Sequence, residues 1–204
     1  MTLPTDIRNI FFDTLSGDKT ILEFEQWLYA DKQLETVIDS DDYLDLISFG
    51  FKSENAKYGL FRLLEKHIDK GELETRRIYG LLTKALNRDK ELPKILVTFY
   101  DFYCKGYNFF DNLGLGYGLA IEVPRIENTK ADTWDELTQE QKSNLLDSFY
   151  PDLETEIKKV IYWLDNRKVI LTGIKNQYNH FEYIDNRNEI EKQPTGFKIV
   201  TMKK

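Results

Sequence analysis

Residues 151–174 read PDLETEIKKVIYWLDNRKVILTGI, and within this stretch the pattern changes from that of a helix to that of a strand. Its first part places apolar residues at the three- and four-residue spacing of one helix face, behind Pro151, which suits a helix start. These apolar residues are Leu153, Ile157, Val160, Ile161 and Leu164. Residues 169–174 are β-branched and apolar, as is typical of a strand. The stretch therefore predicts a helix followed by a strand.

Strand patterns continue towards the C-terminus. Phe181 and Tyr183 alternate with Glu182, and Phe197 alternates with Ile199. Residues 175–179 are about long enough for a hairpin loop between the first two strands. We therefore expect a small antiparallel sheet near the C-terminus.

Towards the N-terminus, helical patterns follow one another with short connections. Capping-box patterns occur at Thr20 with Glu23 and at Thr138 with Gln141, where each side chain can satisfy a free backbone donor. Gly71 is expected to end a helix in the left-handed conformation. Predicted helices begin after Pro4, at Thr20 and at Ser40, and cover residues 54–68, 72–87, 91–104 and 138–149.

These patterns predict a mainly α fold in the α+β class, with an antiparallel helical body and a small antiparallel sheet near the C-terminus. Short connections favour antiparallel packing of neighbouring helices. We expect one domain over residues 1–204, with the helical body in about 1–104 and a mixed part in about 105–204.

A glycine-containing aromatic stretch separates these two parts. Residues 105–117 are predicted to be a loop, and residues 119–123 a short strand stopped by Pro124. The spacing of Gly114, Gly116 and Gly118 is not that of a dinucleotide-binding fingerprint, which requires G-x-G-x-x-G before a helix. We expect these glycines to form a turn that leads into the strand.

The same stretch supplies candidate anchors for a protein partner. Tyr103, Tyr107, Phe109, Phe110 and Tyr117 fall within fifteen positions. Core packing is one interpretation, and exposed anchors are the other, because aromatic residues are enriched in interface cores. Both remain open at this point, and we take Tyr107, Phe109 and Phe110 as the candidates.

The chain is acidic, and its charge is unevenly distributed. The formal net charge is -7. Residues 1–50 sum to -8 and residues 122–156 to -7, whereas residues 51–121 sum to +3 and residues 157–204 to +5. An acidic balance argues against nucleic-acid binding. The acidic blocks are either solvated helix faces or surfaces that attract a basic partner.

The location of the protein is also suggested by the sequence. No apolar run approaches 18 residues, so we expect no membrane association. The opening MTLPTDIRNI has no secretory pattern, and Cys104 is the single cysteine. We therefore expect a cytoplasmic protein.

No motif for catalysis or for a bound metal or cofactor emerges, and we predict none of the three. Cys104, His67 and His180 form no recognisable nucleophile or ligand spacing, and Cys104 among aromatics favours buried packing. Asp39, Asp41, Asp42 and Asp45 suggest a calcium loop only superficially. The positions that need Gly and Glu hold other residues.

The first 65 residues carry a resemblance. Three segments resemble small bacterial proteins that look like immunity proteins of polymorphic-toxin systems. They are the opening from Phe12-Asp13 to Gly17, the helix Phe24-Glu25-Gln26-Trp27-Leu28-Tyr29 and the segment from Asp42-Tyr43-Leu44 to Phe49. The resemblance implies a protein that binds and blocks a toxin. It identifies no contact residue.

We therefore hypothesise a non-enzymatic immunity-type protein that neutralises a cognate toxin domain by direct binding, as a monomer or homodimer. We expect the toxin domain to be basic. The candidate contacts are Asp39, Asp41, Asp42 and Asp45, or Asp132, Asp135 and Glu136, together with the aromatic anchors. A self-associating scaffold or regulatory module is the main alternative, and an enzyme with an unrecognised site is the third.

Overall fold

The computed structural model describes residues 3–125 and 132–193, and the fold is given for those residues. It is mainly helical, with a two-stranded antiparallel sheet near the C-terminus, so the predicted α+β class is confirmed. The chain divides into two compact units, residues 1–73 and 74–204. The change of character that we expected near residue 104 thus falls within the second unit.

The first unit is built from short helices. Gly17 ends the first of them at φ 89°, a left-handed conformation that glycine adopts without steric cost. The predicted capping box of Thr20 and Glu23 is confirmed at the start of the second. The elements are α1 (Thr5–Ser16), α2 (Ile21–Ala30), α3 (Leu34–Val37), α4 (Ser40–Ile47), α5 (Ala56–Leu64) and the 3-10 turn Glu65–His67.

These helices enclose a hydrophobic core of their own. Its largest fully buried side chains are Phe11, Phe12, Phe24, Ile7, Leu28, Leu34 and Leu46. Phe11 packs edge-on against Phe24 at a ring-centroid distance of 5.8 Å. Helix α2 faces this core through Phe24 and Leu28.

Helix α6 (Lys70–Leu86) spans the division between the units, and its start corrects one prediction. Gly71 lies inside the helix and does not end the preceding one. The side chain of Asp69 accepts a hydrogen bond from the backbone N–H of Glu72 at 2.7 Å. Asp69 therefore satisfies a free donor of the first turn, and this signal outweighs the single glycine.

The second unit continues from α6 through further helical segments to the sheet. The predicted capping box of Thr138 and Gln141 and the helix-to-strand stretch behind Pro151 are both confirmed. After α6 the elements are α7 (Leu92–Cys104), the 3-10 turn Asn108–Phe110, a π-helical segment Asn112–Gly118, α8 (Leu119–Glu122), the 3-10 turn Trp134–Glu136, α9 (Gln139–Ser148), α10 (Asp152–Asp165), β1 (Val169–Lys175) and β2 (Phe181–Asp185).

Two predictions between residues 105 and 123 are wrong. The expected loop is largely helical, and the expected strand is α8. A β-carbon on Gly118 would lie 2.3 Å from the backbone oxygen of Leu96, and one on Gly114 would lie 3.0 Å from that of Phe99. These glycines let the π-helical segment pack closely against α7, so they serve contact between helices and do not form a turn.

The sheet pairs β1 with β2 in antiparallel register. Ile170 lies opposite Ile184 and Leu171 opposite Tyr183, with an irregularity between Leu171 and Lys175. Val169 and Leu171 are buried in the core of the second unit. The alternation of Phe197 with Ile199 lies outside the described residues.

Candidate functional site

The acidic segment of α4 begins with a helix cap. The side chain of Asp39 accepts a hydrogen bond from the backbone N–H of Asp41 at 2.9 Å and so caps the helix. Asp41 and Asp42 occupy the first turn, where negative charge complements the helix dipole. Asp39, Asp41 and Asp45 are exposed, so three of the four predicted aspartates are open to a partner.

Asp42 differs from these three because it is engaged within the unit. Lys66 Nζ donates to its Oδ1 at 2.8 Å, and His67 Nε2 lies 3.3 Å from its Oδ2. The hydrogen bond from Lys66 lowers the pKa of Asp42 and raises that of Lys66. Asp42 therefore links α4 to the 3-10 turn Glu65–His67 and is only partly exposed, and its role as a partner contact stays a prediction.

The division into units places the entire net charge on the first one. Residues 1–73 hold eight basic and 15 acidic residues, a sum of -7, whereas residues 74–204 hold 20 of each. Within the first unit, residues 21–48 carry eight carboxylates against Lys32 alone. The acidic character of the protein is therefore a property of the α2–α4 segment.

The second acidic cluster lies in a different electrostatic setting. Asp132, Asp135 and Glu136 are exposed, and Glu136 Oε2 accepts a hydrogen bond from the backbone N–H of Asp132 at 2.8 Å. Asp135 lines a cleft of about 760 Å³ that Lys90 and Lys94 also line. Basic and acidic side chains thus alternate here.

The aromatic residues proposed as anchors are core residues. Tyr107, Phe109 and Phe110 are all at most 1% exposed. Tyr107 stacks on Phe181 at a ring-centroid distance of 4.6 Å, and Phe109 packs edge-on against Tyr183 at 5.1 Å. Core packing, the alternative interpretation, is confirmed. A partner has no access to these three side chains in this conformation.

Exposed apolar residues that the sequence interpretation missed occur in the acidic unit. Leu22, Tyr29 and Leu44 are 53%, 61% and 55% exposed. A signal for two of them was present, since Leu22 and Tyr29 stand seven residues apart and off the buried stripe of α2. For Leu44 the sequence offered no comparable signal.

A second cleft, of about 460 Å³, contains an ion pair of the second unit. Arg187 donates through Nε and Nη2 to the two carboxylate oxygens of Asp185, each at 2.9 Å. Burial would raise the pKa of Asp185, but the hydrogen bonds from Arg187 outweigh it and lower that pKa. Burial raises the pKa of Asp111 in the same cleft. Because the guanidinium already holds a carboxylate, we interpret the pair as structural.

Two of the side chains considered for catalysis are exposed. Cys104 is exposed, in contrast to the burial we expected, and His180 is exposed as well. Neither of the two clefts described above is lined by Cys104, His67 or His180. In residues 3–125 and 132–193, no group of three or more His, Cys, Asp or Glu side chains is arranged to hold a metal ion.

Two further findings bear on identity and location. None of the described helices combines the length and apolar character needed to cross a membrane. Compared with protein-family models, curated proteins and solved structures, the chain matches none. The resemblance to immunity proteins stays a prediction.

Proposed function

We propose that this chain is a non-catalytic, immunity-type protein of the bacterial cytoplasm, which neutralises a cognate toxin domain by binding it. The toxin domain presents a basic surface, and the acidic first unit receives it. The distribution of charge supports the proposal, because residues 1–73 carry a net charge of -7 and residues 74–204 a net charge of zero. Charge of one sign concentrated on one surface accelerates association with an oppositely charged partner.

The exposed aspartates of α4 make this proposal specific. Asp41 and Asp45 are exposed, and the nearest cation to Asp45 is Lys66 Nζ at 4.0 Å, the limit of an ion pair. Exposed pairs of this kind contribute little, so these carboxylates remain available to an incoming basic surface.

The proposal is tested with a candidate toxin domain taken from the genes next to this one, in a growth-protection assay and in stopped-flow association measurements. We expect the chain to protect cells and the association rate to fall as salt rises, because exposed charges are screened beyond about 10 Å at 0.1 M salt. The double reversal Asp41→Lys with Asp45→Lys should slow association by about tenfold and weaken its salt dependence.

The matched control is the double reversal Asp132→Lys with Asp135→Lys, which changes the net charge equally but on the balanced unit. We expect its association rate to stay within about twofold of the unmodified protein. Equal slowing by both double variants would contradict a role for the first unit. Failure to protect, together with a stable dimer of the chain in light scattering, would favour the self-associating alternative.

A further inference from the structure

Helix α2 carries apolar residues on two faces. Phe24 and Leu28 are at most 1% exposed and belong to the core, whereas Leu22 and Tyr29 are more than half exposed. Leu22 and Tyr29 are seven positions apart, which places both on the side of α2 away from the core. Bulky apolar side chains exposed together on one helix face are typical of interaction sites.

This exposed face continues onto α4. The hydroxyl of Tyr29 donates to the backbone carbonyl oxygen of Ile47 at 3.4 Å, so the ring reaches the last turn of α4. Leu44 stands three residues before Ile47 on the same helix and is 55% exposed. Tyr29 thus connects the exposed face of α2 to α4. The exposed apolar residues Leu22 and Tyr29 of α2 and Leu44 of α4 are called here the α2–α4 face.

Carboxylates stand close to these apolar residues on both helices. Glu25 stands three residues after Leu22 and four before Tyr29 on α2, while Asp41 and Asp45, four residues apart on α4, share a helix face beside Leu44. An apolar centre with a polar rim is the usual anatomy of a protein–protein interface, and tyrosine is enriched among the residues that contribute most to binding.

The charge of the rim selects the occupant. A second copy of the chain would bring an equally acidic surface against this one, and facing like charges oppose association. Nucleic acid and anionic membrane carry negative charge as well. A basic protein surface is the occupant that compensates the carboxylates while its apolar groups cover Tyr29.

We propose that the α2–α4 face is the binding surface of this protein, with Tyr29 and Leu44 as its apolar anchors and a basic protein surface bearing an apolar pocket as its occupant. This inference rests on the proposed function. It adds that the complex is retained by apolar anchors, whereas the aspartates act on the rate of its formation.

The affinity test uses the toxin domain and the full chain. Tyr29→Ala and Leu44→Ala should each raise Kd by about tenfold or more through faster dissociation, as truncation of a central interface residue does. Tyr58→Ala is the matched control, because Tyr58 is 69% exposed in the same unit but on α5. We expect its Kd within about twofold of the unmodified protein.

The outcome separates this inference from the proposed function. Reversal of Asp41 and Asp45 could slow association while Tyr29→Ala and Leu44→Ala leave Kd unchanged. In that case the proposed function stands, but the proposal that the α2–α4 face is the binding surface is refuted. Because all the altered side chains are exposed, circular dichroism and the urea midpoint should confirm that each variant is folded.

A second experiment needs no known toxin. A photo-crosslinking residue, p-benzoylphenylalanine, replaces Tyr29 or, as the control, Tyr58 in the full chain, and adducts are formed in the native cell. We expect position 29 alone to capture a basic protein, whose affinity in purified form falls with Tyr29→Ala. Capture of a second copy of the chain, capture of an acidic protein, or no adduct at position 29 would overturn the inference.

Discussion

His67 contacts both a charged residue and a core residue of the first unit. Its Nε2 atom is 3.3 Å from Asp42 Oδ2, and its ring packs edge-on against Phe11 at 6.2 Å between centroids. Burial lowers the pKa of His67, and the attraction of Asp42 offsets only part of that effect. The folded protein therefore holds this imidazole in the neutral form more strongly than the unfolded chain does.

A pH dependence of stability follows from this residue. The unfolded chain has a histidine pKa near 6.5, so between that value and the lower folded pKa it binds more protons than the folded protein. The contribution to stability is complete above about pH 6.5 and is lost as the pH falls through this window. Urea unfolding at about pH 7.5 and pH 5.5 should show a lower midpoint in acid.

Substitution identifies the group responsible. His67→Gln should remove most of this pH dependence, whereas His180→Gln should keep it, because it leaves His67 in place. These are the two histidines of the chain. An unchanged pH dependence in His67→Gln would show that another group causes it.

At the same scale, the candidate site was only partly predictable. The sequence indicated four aspartates of equal standing on α4. Lys66 and His67, more than twenty positions away, lie 2.8 and 3.3 Å from the carboxylate of Asp42, whereas Lys66 comes no closer than 4.0 Å to that of Asp45. The aromatic anchors failed for a related reason. Residue type makes Tyr107 and Phe110 equally suited to a core and to an interface, and burial alone distinguishes the two.

At the scale of elements, the close contact between α7 and the π-helical segment depends on glycines, which have no β-carbon. A β-carbon on Gly118 would also meet Tyr100 Cβ at 2.8 Å, so neither the backbone nor the side chain of α7 leaves room for it. Gly114 stands four residues earlier, on the same face of the segment. Two glycines at this spacing allow the two backbones to approach.

Gly118→Ala should therefore destabilise the protein by about 1–3 kcal/mol, because α7 must shift to admit the new methyl group. Gly80→Ala is the control: this glycine lies in α6 and has no heavy atom within 4 Å of its β-carbon position. It should be neutral or stabilise by up to about 1 kcal/mol through helix propensity. Urea unfolding of both variants measures the difference, and equal stability would disprove the close-packing account.

The elements predicted well and those predicted badly differ in length and context. Helix α10 repeats its apolar spacing over four turns, which no strand pattern imitates, and β1 follows as expected. Residues 119–122 are too few to distinguish a helix from a strand by periodicity. There, continuity with the preceding π-helical segment and packing against α7 produce α8.

At the scale of the whole molecule, the described residues divide into two hydrophobic cores. One contains Phe11, Phe24 and Leu28, and the other Phe99, Phe110 and Trp163. The sequence alone indicates one domain, because no composition shift or linker marks residue 73. The division falls within the continuous helix α6, so helical periodicity runs through it unbroken.

The two cores can be probed separately. Phe11→Ala removes a fully buried ring and should cost about 3–5 kcal/mol. Hydrogen exchange should then accelerate in α1 and α2 while α7 and α10 keep their protection, since cooperative units open separately. Tyr58→Ala, at an exposed position, should leave both regions unchanged. Equal loss of protection in both regions would mean that the cores unfold together.

The primary structure was sufficient for properties that depend on near neighbours. Helix periodicity, capping boxes and the change from α10 to β1 arise from residues within a few positions of one another, and the α+β class follows from them. The sequence also provides the net charge of each segment, but not which of the charged side chains are exposed on a surface. The tertiary structure alone divides the chain into an acidic unit and a unit of balanced charge, and it alone shows that Tyr107 is buried and Tyr29 exposed. The reason is that burial and ion pairing depend on residues that are distant in the chain and come into contact only in three dimensions.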